Sequence, residues 1–216
     1  IAVNVTGDAD APTLSTQNAS GTEDTAIALN ISSALTDTDG SETLSITISN
    51  VPDGAALSAG TNNGDGSWTL TPAQLSGLTI TPPSDSNENF DLTVTATSTE
   101  NDGDTATTSN QITVSVTGDA DAPTLTTQNA SGTEDTAIAL NIASALTDTD
   151  GSETLSVTIS GVPDGASLSA GTNNGDGSWT LTPAQLSGLT ITPPENSAEN
   201  FSLTVTATSQ ENDGDT

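Results

Sequence analysis

Short runs in which apolar and polar residues strictly alternate dominate this chain. In "TAIALNI" Ile27, Leu29 and Ile31 fall on every second position, and in "TLSITIS" Leu44, Ile46 and Ile48 do the same. "FDLTVTA" places Phe90, Leu92, Val94 and Ala96 in phase, and "ITVSV" does so with Ile112, Val114 and Val116. A period of two predicts β-strands with one face on a core, and the intervening Thr, Ser and Asn suit a solvated face. "SWTLT" around Trp68 and Leu70, "GLTIT" with Leu78 and Ile80, and a first strand near residues 12–17 bring the expected count to seven or eight. Turn chemistry separates these runs at "VPDGA", "NNGDGS" and "TPPSDSNEN", and only "TPAQLSG" hints at a helical turn. The spacing predicts an all-β fold: seven- to eight-stranded Greek-key sandwiches of the immunoglobulin-like kind.

The pattern occurs twice. Residues 11–105 and 122–216 align at an offset of 111 with no insertion and ten substitutions. A period of that length suits an independently cored domain. Residues 8–118 are expected to form a first repeat and 119–216 a second. Residues 1–7, with "IAVNVT" resembling "ITVSVT" at 112–117, read as the last strand of a preceding repeat, and the second repeat stops before its own copy of that strand. The chain is therefore expected to be a window on a longer repetitive polypeptide. The alternative is a subunit whose residues 1–6 complete the second sandwich of another copy, giving a homopolymer.

Charge narrows the function. With 29 acidic residues and no Lys, Arg or His, the formal charge is −29. Such a chain cannot neutralise nucleic-acid phosphate or adhere to an anionic membrane surface. No apolar run approaches the roughly 18 residues of a membrane-spanning helix. There is no cysteine, so neither disulfides nor thiolate metal sites are available. The acidic, Ser/Thr-rich composition, free of Cys and Met, is that of a secreted surface protein.

The acids cluster between the alternating runs, Asp91 excepted. Glu23 and Asp24 lie in "TEDT"; Asp37, Asp39 and Glu42 in "DTDGSE"; Asp85 and Glu88 in "SDSNEN". Glu100, Asp102 and Asp104 lie in "ENDGDT", and Asp8 and Asp10, repeated as Asp119 and Asp121, in "TGDADAPTL". In a sandwich, successive loops alternate between the two poles. Walking the strands puts "DTDGSE" and "ENDGDT" at the pole where the linker enters, and "TEDT" and "SDSNEN" at the other. At the central junction Glu23, Asp85, Glu88, Asp119, Asp121, Asp148, Asp150, Glu153, Asp213 and Asp215 are thus expected to converge. Only a cation can screen that much like charge, and calcium, with six to eight oxygen ligands, fits the donor set. Zinc, copper and iron are disfavoured without His or Cys. "NNGDGS", with its single Asp65, reads as a hairpin turn.

The order "TEDT", "DTDGSE", "ENFDLTVTATS" and "ENDGDTATTSNQITVSVTGDADAP" resembles the cadherin-like tandem repeats of giant bacterial biofilm adhesins, the RTX type exported by the type I route. The resemblance covers both repeats. It implies calcium chelation between domains by Glu23 and Glu134, Asp37 and Asp39, Asp148 and Asp150, Asp8 and Asp10, and Asp119 and Asp121. The loop before Phe90 departs from the cadherin pattern, and its second copy has Asn196 where the first has Asp85. The resemblance further implies an extracellular, cell-surface stalk supporting adhesion, its partners being neighbouring repeats joined head to tail.

A catalytic role is not expected. Paired carboxylates could serve a glycosidase, but no His, Lys, Cys, Arg or Tyr is present to assist. A glycan-binding module would need exposed aromatics. Trp68 and Phe90, with their twins Trp179 and Phe201, sit inside alternating runs and read instead as core plugs.

Overall fold

The computed structural model describes residues 1–4 and 6–216; Val5, inside the segment expected to be a preceding repeat's last strand, lies outside the described residues. The protein is all-β, with two short 3-10 helices at Pro72–Leu75 and Pro183–Leu186, where the sequence hinted at a helical turn. It divides into two compact units, Ile1–Gly118 and Asp119–Thr216.

In the first unit the strands are β1 (Thr13–Thr16), β2 (Ala19–Thr22), β3 (Ile27–Ala28), β4 (Ile31–Ala34), β5 (Glu42–Ser49), β6 (Ala56–Leu57), β7 (Thr61–Asn62), β8 (Trp68–Leu70), β9 (Thr79–Thr81), β10 (Phe90–Glu100) and β11 (Thr105–Thr117). They form a six-stranded sheet in the order β2-β11-β10-β5-β8-β7, a three-stranded sheet β3-β9-β6 and a pair β1-β4. All pairings are antiparallel except β11 with β2, which is parallel.

The alternation places the core as expected. Ile46 and Ile48 of β5, Leu92 and Val94 of β10 and Ile112 and Val114 of β11 are fully buried, and they share one cluster with Ile27, Leu57 and Ile80 of the three-stranded sheet. Trp68 and Phe90 are half-buried against that cluster. Two local expectations need correction. "TAIALNI" is not one strand: β3 pairs β9 and β4 pairs β1, so the chain changes sheets between Ala28 and Ile31. The change preserves the parity of Ile27, Leu29 and Ile31, all buried, and so leaves no mark on the alternation. The acids are also not confined to turns, because Glu42 opens β5 and Glu100 closes β10.

The second unit repeats the arrangement with β12 (Thr124–Thr127), β13 (Ile138–Ala139), β14 (Ile142–Ala145), β15 (Glu153–Ser160), β16 (Ser167–Leu168), β17 (Thr172–Asn173), β18 (Ser178–Leu181), β19 (Thr190–Thr192) and β20 (Thr204–Glu211). Its sheets are β12-β14, β13-β19-β16 and β17-β18-β15-β20. One difference is informative. Residues 130–133 repeat the "ASGT" of β2 yet form no strand and are exposed. The partner of β2 is the C-terminal half of β11, and no strand follows β20. Residues 1–4 and 6 likewise form no strand, and Ile1 and Val3 are the most exposed large apolar side chains of the described residues.

Candidate metal centre

The acidic pole of the first unit is built on two neighbouring strands. In the register of β5 and β10, Glu42 stands directly opposite Glu100. Both continue the inward parity of their strands, after Leu44, Ile46 and Ile48 on one and Leu92, Val94, Ala96 and Ser98 on the other. Each is therefore buried, at 7% exposure, above an aliphatic core that is fully buried. Like charges in direct cross-strand opposition destabilise a sheet, and burial adds the cost of dehydrating them. Among the described residues, nothing cationic offsets this.

Residues 7–10 lie over this pair as a strap. Asp10 N–H donates to Glu42 Oε1 at 2.7 Å, Gly7 N–H to Asp102 Oδ2 at 3.0 Å and Ala9 N–H to Asp104 Oδ2 at 3.0 Å. The hydroxyl of the fully buried Ser98 donates to the carbonyl of Asp10. The glycine has a steric reason: a Cβ on Gly7 would sit 2.8 Å from the carboxyl carbon of Glu100. Thus the Thr-Gly-Asp-Ala-Asp segment works chiefly through its backbone, lending N–H donors to carboxylates that have no cation.

The donors do not suffice. Glu42 Oε2 is buried and has no hydrogen-bond partner among the described residues. Beside it, Asp37 Oδ1 accepts from Asp39 N–H at 2.9 Å, and Asp39 Oδ1 from Ser41 N–H at 2.8 Å; these turns are shaped by Gly40, whose φ is +95°. The hydroxyl and N–H of Ser41 hold the Asp39 carboxyl below the ordinary range. Ser41 Oγ also donates to Glu100 Oε1 at 3.1 Å.

The second unit carries the same site. Glu153 opposes Glu211 across β15 and β20, at 6% and 3% exposure. Asp121 N–H donates to Glu153 Oε1 at 2.6 Å, Ala120 N–H to Asp215 Oδ2 at 3.1 Å, and the Ser209 hydroxyl to the carbonyl of Asp121. Glu153 Oε2 is again buried without a hydrogen-bond partner among the described residues. The single hydroxyl of Ser152 lies 3.1 Å from Asp148 Oδ2 and 3.2 Å from Glu211 Oε1, so one proton serves two buried acids. Asp150 N–H donates to Asp148, Ser152 N–H to Asp150, and Asp215 N–H to Asp213. Burial pushes the Glu153 carboxyl above its ordinary value against the pull of the Asp121 N–H, and Asp148, Glu211 and Asp121 push it further. Glu211 is raised in the same way by burial, then by Asp148, Asp150 and Asp213, with Ser152 opposing.

Each unit therefore gathers acidic side chains around a buried, directly opposed Glu pair. Of the expected ligands, Asp37, Asp39, Glu42, Asp102 and Asp104 lie around the first pair and Asp148, Asp150, Glu153, Asp213 and Asp215 around the second, while Asp10 and Asp121 reach them through their backbone N–H groups. Asp8 and Asp119 are exposed on their straps. Glu100 and Glu211, the opposing members of the buried pairs, were not among the expected ligands. The signal was available: both extend the inward parity of the Phe-strand by one more step.

The other acidic loops are shaped differently. Glu23 is buried, and its N–H donates to Thr117 O at 3.0 Å, while Glu134, Glu88 and Glu199 are exposed. Asp85 has φ +55° and its N–H donates to Asp24 Oδ1; Asn196 has φ +56° and donates to Asp135 Oδ1. Asp and Asn both tolerate left-handed backbone, which accounts for their exchange between the repeats. Asp65 accepts from the Ser67 hydroxyl at 2.6 Å and N–H at 3.1 Å, closing the "NNGDGS" turn as the sequence indicated.

No protein-family model matches the chain, and no curated protein does. Among solved structures, the chain is similar to the adhesin InvE of Yersinia pseudotuberculosis. That match has 14% identity and a TM-score of 0.27, over 94% of this chain and 56% of the other. The chain thus spans little more than half of that adhesin chain, and a likeness this distant carries no argument about fold or function.

Proposed function

We propose that this chain is a pair of calcium-binding structural repeats, cadherin-like Greek-key sandwiches, within an extracellular bacterial adhesin or filament. Their task is mechanical: to extend a binding region away from a cell during adhesion or biofilm formation, with calcium stiffening the junctions between successive repeats. One observation carries the reading. Buried, directly opposed carboxylates, each pair with an unpartnered oxygen, recur in both units of a chain without a cationic side chain. Paired Glu carboxylates, flanking Asp carboxylates and nearby backbone carbonyls are hard oxygen donors of the kind calcium takes. They gather where each repeat receives its entry segment, which favours a role at repeat junctions.

A calcium titration followed by calorimetry and thermal melting tests this. Binding to the folded state alone adds about 2.7 kcal/mol at a hundredfold excess over Kd. The expected result is a strong rise in melting temperature, lost in the Glu42→Gln, Glu153→Gln double variant. Superimposable melting curves in calcium and in chelator overturn the proposal.

A further inference from the structure

The turn "NNGDGS" between β7 and β8 takes no part in the acidic sites, and it recurs between β17 and β18. It holds the two Asn-Gly steps of the sequence, Asn63-Gly64 and Asn174-Gly175, with all four residues exposed. Gly64 and Gly175 have φ of +83° and +84°. An Asn followed by glycine is the step most open to attack from within its own chain. The next backbone nitrogen can approach the carboxamide carbon with no side chain in the way.

The fold engages both reacting groups elsewhere. Gly64 N–H donates to Asn62 Oδ1 at 2.8 Å, while the Asn63 carboxamide nitrogen donates to Ser67 Oγ at 2.9 Å and Thr69 Oγ1 at 3.1 Å. In the second unit Gly175 N–H donates to Asn173 Oδ1 at 2.8 Å, and Asn174 donates to Ser178 Oγ at 2.9 Å and Thr180 Oγ1 at 3.1 Å. These bonds depend on β7 and β17, strands of two residues, each at the end of its sheet and paired only with β8 or β18. An exposed edge this short opens locally well before its sheet unfolds. We propose that Asn63 and Asn174 are modification sites, converted spontaneously to aspartate and isoaspartate when the β7–β8 or β17–β18 turn opens.

In the first unit the Gly64 nitrogen forms a bond to Asn63 Cγ and gives up its proton. The Cγ–Nδ2 bond breaks, and the nitrogen leaves with that proton as ammonia. Water then opens the cyclic imide at either carbonyl, giving aspartate or, with the main chain rerouted through Cγ, isoaspartate. The product cannot rebuild the turn. The hydroxyl proton of Ser67 is committed to Asp65 Oδ1 at 2.6 Å, so Ser67 offers residue 63 only an acceptor. A new carboxylate finds no proton there and stands beside Asp65, a like charge. The change therefore runs one way and leaves the sheet edge loosened.

Peptide mapping by mass spectrometry of the folded 216-residue chain, held at neutral pH and physiological temperature, tests this. Asn63 and Asn174 are expected to convert ahead of every other Asn. Asn62→Ala frees the Gly64 N–H without touching the reacting carboxamide. It should raise the rate at Asn63 about two- to tenfold relative to Asn174, the equilibrium worth of one hydrogen bond. Asn173→Ala should favour Asn174 in the same way. Another Asn converting first, or a ratio of the two rates that either substitution leaves unchanged, overturns the inference.

Discussion

Glu42 and Glu100 face each other across adjacent antiparallel strands, both buried, with one carboxylate oxygen of Glu42 bonded to the strap at Asp10 and the other to nothing among the described residues. Replacing one of the pair by an isosteric amide removes a like-charge opposition and supplies an N–H donor. In chelator, Glu42→Gln is therefore expected to stabilise the first unit by about 1 kcal/mol, at the upper end for cross-strand pairs. That raises the melting temperature by roughly 4–8 °C. On the proposed calcium-binding role the sign reverses in calcium, because a ligand is lost. A variant less stable than the parent in chelator contradicts this.

Acidity gives a second test. Burial and neighbouring acids hold Glu153 and Glu211 above their ordinary value of 4.5 in the folded chain. A raised folded-state value means that the folded chain binds more protons than the unfolded one. Its contribution is full below the unfolded value and is lost as pH rises through the folded value. Metal-free protein should gain stability on acidification from neutral pH toward that range. Asp39, Asp65 and Asp176, held low by their serines, are exposed and act the other way. The readout is therefore the difference between parent and Glu153→Gln, in which this pH slope should shrink. An unchanged slope refutes the assignment.

The strap can be released without touching an acid. Ser98 is fully buried and its hydroxyl holds the carbonyl of Asp10. Ser98→Ala should cost about 0.5–1.5 kcal/mol, the net worth of one such bond. It should also speed amide exchange at Gly7 and Ala9, whose N–H groups depend on the strap staying down. On the proposed calcium-binding role, calcium affinity should fall with it, since the strap's N–H groups hold the carboxylates in place. Unchanged exchange at both amides contradicts the coupling.

Much of this was legible in the alternation of single strands. The inward faces of β5, β10 and β11 follow directly from the positions of Ile46, Leu92 and Ile112. The sheet change between Ala28 and Ile31 was not legible, because a crossing that keeps parity leaves the pattern intact. Two-residue strands such as β6 and β7 are too short to alternate at all. The acids illustrate the limit best. "DTDGSE" and "ENDGDT" look like turns by composition, yet Glu42 and Glu100 keep strand parity and are buried. Pairing across strands, not sequence proximity, makes them a site.

Trp68 separates a structural from a sugar-binding role. It pairs across to Ile48 and is half-buried against the core. Trp68→Ala should therefore destabilise the first unit by about 2–3 kcal/mol, below the 3–5 kcal/mol typical of full burial. Glycan-array binding that depends on Trp68 in a variant of unchanged stability speaks against this packing role.

The two repeats also provide an internal comparison that holds sequence almost constant. Residues 19–31 and 130–142 are identical, "ASGTEDTAIALNI", yet in the first Ala19–Thr22 is a paired strand and in the second residues 130–133 are exposed and unpaired. Ile27 and Leu29 are 2% and 3% exposed, whereas Ile138 and Leu140 are only half-buried. Intrinsic propensity is the same in both places, so any difference in protection comes from the pairing strand alone. In monomeric protein, amide exchange should be slow at Gly21 and fast at Gly132, and calorimetry should resolve two transitions with the second unit melting first. Appending a copy of residues 106–117 after Thr216 should slow exchange at Gly132 and merge the transitions. Equal protection at the two glycines in the unextended 216-residue chain refutes the argument, since it leaves pairing of the kind β2 makes with β11 without energetic consequence.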